Sequence, residues 1–330
     1  MQLRFTSVHD YGRQFTDVNV WRRAIEQVCQ RHHLSASSIQ AGLAGTHPVF
    51  LIHNDQPCVI KFYETRFFDG ARSFRVEREL YQWLPSALPI AIPRLIASGT
   101  LEDDGTWPYI ITSVVPGISF GEARQQVSTP DIYALPAVLG PTLRRLHSIP
   151  VETSPFLVQL RHEFSQFIRR QYDQCVANHR QWNTLPPHLI AQIPRYLMNH
   201  AYGNHTLSTC LIHADLTHDH ILGEFQDGHW HPTGLIDFGD AWVGDRFYEL
   251  VALHLSVFQL DTRLLQAFLT AYTFDAALSE RFVERAMLAT LLFEFNAFEE
   301  IAQHRPAALK ATTLEELAAQ VWTVPHNIEP

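Results

Sequence analysis

A single β-type island interrupts the otherwise helical second half of this chain, and it constrains the fold more than any other feature. It reads Leu211-Ile212-His213-Ala214-Asp215-Leu216-Thr217-His218-Asp219-His220-Ile221-Leu222, followed by Leu235-Ile236-Asp237-Phe238-Gly239-Asp240. Apolar pairs stand immediately before His213 and before Asp237. Each polar group therefore leaves the end of a buried strand, where a rigid scaffold can hold reactive side chains on loops.

The sequence around the island changes period once. Trp21, Ala24, Ile25 and Val28 recur at helical spacing and predict a helix over 18–32. Short β-type runs follow over 40–45, 47–53 and 58–63, separated by Gly45-Thr46 and by Asn54-Asp55-Gln56-Pro57. Phe74, Val76, Leu80, Trp83 and Leu84 mark the buried face of a second helix, and two more strands are expected over 95–98 and 109–112, around Asp103-Asp104-Gly105. Pro116-Gly117 continues no strand comfortably, so the expected domains are 1–115, a small β-rich lobe, and 116–330, a larger and mainly helical one. In the latter, Ser128-Thr129-Pro130-Asp131 reads as a capped helix start. Further helices are expected over 156–172, over 189–202 and in three segments after Phe247.

Composition narrows the function classes. With 46% hydrophobic and 18% charged residues, 330 residues can bury a core and suit two lobes. A net charge of −9 argues against a nucleic-acid partner and suits a cationic small molecule. The four cysteines form no C-x-x-C pair, which fits a reducing compartment. No stretch of 18 uncharged apolar residues is present and the first ten residues do not resemble a signal peptide, so a soluble cytoplasmic protein without a membrane or protein partner is expected.

Phosphoryl transfer needs a carboxylate to orient the attacking hydroxyl, side chains to hold magnesium on the nucleotide phosphates, and a lysine to grip those phosphates. Asp215 suits the first role, and His220 and Asp237 suit the metal. The spacing H-x-D-x(4)-H, then a strand, then I-D-F-G resembles the aminoglycoside phosphotransferase family, whose fold is similar to that of protein kinases. Two further family elements have counterparts. One is Leu143-Arg144-Arg145-Leu146-His147-Ser148-Ile149-Pro150, and the other is Gly244-Asp245-Arg246-Phe247-Tyr248-Glu249-Leu250.

That resemblance implies an α+β, bilobal, protein-kinase-like fold and an ATP-dependent small-molecule kinase using Mg2+, with Mn2+ tolerated. It also implies a strand lysine paired with a helix glutamate. Lys61, inside the apolar run Val59 to Tyr63, is the lysine. Glu79 is the chosen partner, with Glu77 in reserve. Gly42 and Gly45 belong to the loop over the phosphates, and Ser113 and Val115 to the link whose backbone meets adenine. The absence of a long segment between Gly239 and Gly244 points away from peptide acceptors. An aminoglycoside is the first expectation, with a macrolide or a cellular metabolite as the alternative. Glu294, Glu299 and Glu300 either face a cleft or form a solvated helix face.

His220 departs from the family's usual asparagine, and an imidazole is softer than magnesium prefers. The resembling macrolide branch carries histidine there, while Ala214 resembles the hygromycin branch. His213 reads as a packing residue that bonds the loop backbone, and His218 and Asp219 as exposed loop residues. A metal-dependent phosphohydrolase built on His213, His218, Asp219 and Asp237 is the reading from another class. It leaves Lys61 without a role.

Overall fold

The apolar runs of the first third form one antiparallel sheet. Its strands are β1 (Ser38–Ala41), β2 (Val49–His53), β3 (Cys58–Phe62), β4 (Leu95–Asp103) and β5 (Gly105–Ser113), in the order β1-β2-β3-β5-β4. The computed structural model describes residues 3, 5–43, 45–103, 105–200, 209–273 and 281–323. The β2–β3 turn is set by Asn54, whose side-chain oxygen accepts the Gln56 N–H at 2.9 Å, a local bond that favours reversal over strand continuation. Strand β3 lies inside the sheet, with Lys61 opposite Val49 on one side and Ile110 on the other. β4 and β5 run longer than the apolar spacing predicts, with a register shift between Leu95 and Ala97.

Helix α1 (Val8–Gln14) had no periodic signal, but Ser7 caps it by accepting the Asp10 N–H at 3.1 Å. Helix α2 (Val18–Arg31) turns Trp21, Ala24, Ile25 and Val28 into a core shared with Phe50, Phe62 and Trp107 of the sheet. Helix α3 (Gly70–Leu80) starts at a glycine for a steric reason. A Cβ there would lie 2.1 Å from the Glu64 carbonyl oxygen.

Contacts divide the chain into two compact units, 1–117 with 233–240 and 118–232 with 241–330. The strand end carrying Asp237 thus packs with the N-terminal sheet, although it follows the second unit's β-island in sequence.

In the second unit, β6 (Ile118–Ser119) pairs with β8 (Ile221–Gln226), which turns through Asp227-Gly228 into β9 (His229–Leu235), whose last three residues belong to the first unit. Both turn residues have positive φ, 52° and 82°, the backbone a two-residue hairpin requires. β7 (Thr209–Ile212) pairs with β10 (Trp242–Asp245), a strand the sequence reading missed. The helices are α4 (Phe120–Ala123), α5 (Thr129–His147), α6 (Pro155–Trp182), α7 (Pro187–Ile190), α8 (Ile193–His200), α9 (Arg246–Ala252), α10 (Thr262–Tyr272), α11 (Phe282–Leu291), α12 (Ala297–His304) and α13 (Leu314–Trp322). Ser128 caps α5 as expected, accepting the Asp131 N–H at 3.3 Å.

The helix expected over 189–202 is instead two, α7 and α8, with residues 201 and 202 outside the described set. Among the described residues four α-helices begin after Phe247, at Thr262, Phe282, Ala297 and Leu314. Among the described residues no helix is long and apolar enough to cross a membrane, and the four cysteines are buried and free.

Candidate active site

The first unit buries a lysine between two carboxylates. Lys61 Nζ lies 2.7 Å from Asp237 Oδ1 and 2.8 Å from Glu77 Oε2. An ammonium in an apolar strand is costly unless it is paired. Burial opposes the charge of Lys61, but Asp237 and then Glu77 outweigh it and hold the lysine pKa above its ordinary value. Glu77 also accepts the hydroxyls of Tyr63 and, at 2.7 Å, Tyr81. Burial first, and then the Glu77 charge, raise both phenols well above their ordinary range, so both remain donors.

Tyr81 does a second job. Its oxygen accepts the Asp237 N–H at 3.1 Å and the Phe238 N–H at 3.4 Å, so one hydroxyl joins Glu77 to the Asp237 backbone. Asp237 has φ 62°, a left-handed conformation that aspartate tolerates better than most residues. Its side chain keeps 36% of its surface exposed, against 8% for Lys61 and 1% for Glu77.

These contacts correct the choice of Glu79. Residues two apart on a helix point about 200° apart, so only one of Glu77 and Glu79 can meet the strand. Glu77 does; Glu79 is 34% exposed and pairs with Arg78 at 2.7 Å. Tyr63 and Tyr81 had no assigned role, although both were within reach of sequence logic. Tyr63 stands two residues beyond Lys61 on the same strand face, and Tyr81 four residues beyond Glu77 on the same helix face.

The other first-unit expectations fall in mixed places. Gly42 extends the β1–β2 ladder, its N–H donating to Val49 O at 2.8 Å, while a Cβ on Gly45 would meet nothing within 4 Å. Ala44, between them, lies outside the described residues. The Ser113 N–H donates to Arg94 O at 2.9 Å and its hydroxyl accepts the Arg94 N–H at 3.0 Å, so that amide is not available to a base. Val115 is buried and touches the site of Gly234.

The second unit holds Asp215 in a loop fixed from behind. Glu249 is fully buried and accepts the N–H groups of His213 at 2.6 Å and Ala214 at 3.3 Å. His147 stands 3.5 Å from the same carboxylate and bonds Tyr272 OH through Nδ1 at 2.7 Å. His147 and Glu249, from the two supporting motifs, therefore meet each other, and Glu249 alone holds the backbone of the third. In the sequence only their motif context marks Glu249 and His147, and nothing local to either points to this role. Ala214 takes φ 69°, which sends the chain sharply into Asp215.

The His220 Nδ1–H donates to the Asp215 carbonyl at 2.5 Å. The neutral ring then has its lone pair on Nε2, the arrangement by which a second hydrogen bond prepares a histidine for a metal. His218 is tied down, its Nδ1 2.6 Å from Ser256 Oγ, and Asp219 is half-exposed and accepts from Ser119 Oγ at 3.4 Å. On α12, Asn296 donates to Glu299 and Glu300 pairs with His304, so both glutamates serve their own helix.

Among the described residues no three His, Cys, Asp or Glu side chains are grouped to cage a metal. Magnesium in phosphate chemistry needs only one or two protein carboxylates, with phosphate and water completing its shell. The part-exposed carboxylate of Asp237 fits that demand.

The family model described as the phosphotransferase enzyme family, APH, matches residues 38–288. The lysine-specific demethylase JMJ21 of Arabidopsis thaliana is 28% identical over 201 residues, covering 50% of this chain and 21% of that one. The chain thus spans about a fifth of that relative's length. Among solved structures, the GDP complex of wild-type aminoglycoside 2'-phosphotransferase-IIIa is similar with a TM-score of 0.63 and 18% identity over 91% of this chain and 97% of that one. The streptomycin–ATP–APH(2")-IIa ternary complex is similar with a TM-score of 0.57 and 19% identity over 89% and 97%. At such identities the likeness is one of fold, a kinase-like α+β arrangement.

Proposed function

Because the chain belongs to the phosphotransferase enzyme family and is a small-molecule kinase by that membership, we propose that it transfers the γ-phosphoryl group of ATP to a hydroxyl of a small cationic acceptor, an aminoglycoside first. The observation that carries this reading is the buried Lys61–Glu77–Asp237 triad. It keeps one ammonium permanently charged and leaves one carboxylate part-exposed beside it.

Lys61 binds the nucleotide phosphates, and Glu77 holds it in place. Asp237 and His220 would hold magnesium, which when bound neutralises developing charge on the phosphates. Asp215 orients the acceptor hydroxyl and takes its proton, on a loop pinned by Glu249. Catalysis of this kind is mostly positioning and charge stabilisation, which suits a site built from fixed side chains. GTP is the alternative donor, since one structural neighbour is a GDP complex and another contains ATP.

The test is nucleotide turnover against aminoglycosides, macrolides and small amino alcohols, with magnesium and with manganese. Acceptor-dependent ADP release and a product one phosphoryl group heavier are expected for an aminoglycoside. Transfer to a macrolide or an amino alcohol instead would correct the acceptor class. Failure to bind any nucleoside triphosphate would overturn the reading.

A further inference from the structure

Residues 1–37 precede the segment that the family model matches, yet one of them bonds the loop between β1 and β2. Tyr11 of α1 is buried among Phe5, Phe15, Phe67 and Phe68, and its hydroxyl donates to the Thr46 carbonyl at 2.7 Å. The next residue is His47. The β2–β3 ladder continues past Val49, because the Phe62 N–H donates to Pro48 O at 2.9 Å. With Val49 opposite Lys61, His47 falls opposite Tyr63, on the sheet face that carries Lys61. The His47 ring lies 5.1 Å from the Tyr63 ring, and Lys61 Nζ lies 5.5 Å from that same ring.

The tautomer of His47 is set by the backbone. Its Nδ1 accepts the Glu64 N–H at 3.3 Å, so in the neutral ring the proton sits on Nε2. Burial first, and then the charge of Lys61, bring its pKa down to about 3, so the ring is neutral at physiological pH. It makes no other hydrogen bond among the described residues. A fixed, uncharged N–H beside a permanent ammonium can bind an oxyanion without adding a second buried charge.

We propose that His47 is a phosphate-binding residue of the nucleotide site, its Nε2–H donating to a phosphate oxygen, and that Tyr11 is the positioning residue that holds the loop carrying it. The inference rests on the reading that the first unit binds a nucleotide. It adds a neutral donor to the Lys61 cation and gives a role to a helix outside the family match.

The test uses the full chain and ADP. A hydrogen bond to a charged group contributes about 1.5–3 kcal/mol, so His47→Leu should weaken ADP binding about tenfold or more by calorimetry. His47→Asn, which keeps an N–H donor, should recover part of that loss. In NMR of the wild-type protein, the His47 Nε2–H resonance should move on adding ADP, and this readout stands even if His47→Leu fails to fold. Tyr11→Phe should weaken ADP binding and shift that resonance before ADP is added.

An unmoved resonance, or ADP affinity in His47→Leu equal to wild type, overturns the proposal. If Lys61→Met still abolishes ADP binding in that case, the nucleotide reading survives alone. If the wild-type protein binds neither ADP nor GDP, both fall.

Discussion

Replacing Glu77 with glutamine separates the two helix glutamates by their energetics. Three donors converge on the Glu77 carboxylate: Lys61 Nζ at 2.8 Å, the Tyr81 hydroxyl at 2.7 Å, and the Tyr63 hydroxyl. An amide offers one oxygen and one NH2, so at least one donor would face another donor. Removing one partner of a buried ion pair costs about 3–5 kcal/mol. Asp237 still neutralises Lys61 from 2.7 Å, which places Glu77→Gln near the low end, about 3 kcal/mol. In a chain of this size that lowers the thermal midpoint by about 4 °C.

Glu79→Gln changes only a surface pair with Arg78 and should cost less than about 0.5 kcal/mol. Thermal melts near neutral pH, without nucleotide, compare the two variants directly. Equal shifts, or a larger one for Glu79→Gln, would refute the assignment of the buried carboxylate to Glu77.

Two further perturbations reach the second unit. Glu249→Ala strips acceptors from the buried N–H groups of His213 and Ala214, and each such orphan costs about 1–3 kcal/mol. Urea unfolding should show a loss of about 3 kcal/mol, and turnover should fall with it; an unchanged urea midpoint would contradict the clamp. His254 is fully buried, its Nε2–H donating to Val321 O at 2.9 Å, and burial lowers its pKa to about 4. The unfolded chain takes up that proton near pH 6.5 and the folded one only near pH 4, so stability is full above the upper value and declines as pH falls between the two. From pH 7 to pH 5 this group should cost about 2 kcal/mol. His254→Asn should remove that part of the pH dependence of the urea midpoint, and an identical dependence in both proteins would exclude it.

Much of the site's chemistry was legible because it breaks a local rule. A lysine inside the apolar run Val59 to Tyr63, and acids at the ends of apolar strands, stand out against propensity and pattern. The loops around Asp215 and Asp237 were legible as motifs. Glu77 and Glu79 were not separable, since both sit among charges on one helix and only its phase against β3 decides. The far half of α6 was missed because its inward face includes His179, which satisfies itself on the Leu291 carbonyl at 3.0 Å. A polar residue in that position hides the apolar stripe. The placement of Thr233–Asp240 with the first unit depends on contacts more than a hundred residues apart in sequence, which no local period records.

The central claim is that Lys61 and Asp237 hold the nucleotide while Asp215 acts only on the hydroxyl. It is tested most directly by measuring ATP affinity and single-turnover phosphoryl transfer side by side in the wild-type protein, Lys61→Met, Asp237→Asn and Asp215→Asn. The account predicts that Asp215→Asn binds ATP within about twofold of wild type and loses transfer by about 10²–10⁴, the usual contribution of a general base. Lys61→Met and Asp237→Asn should lose ATP affinity as well. An Asp215→Asn protein that still transfers phosphate at the wild-type rate would contradict it.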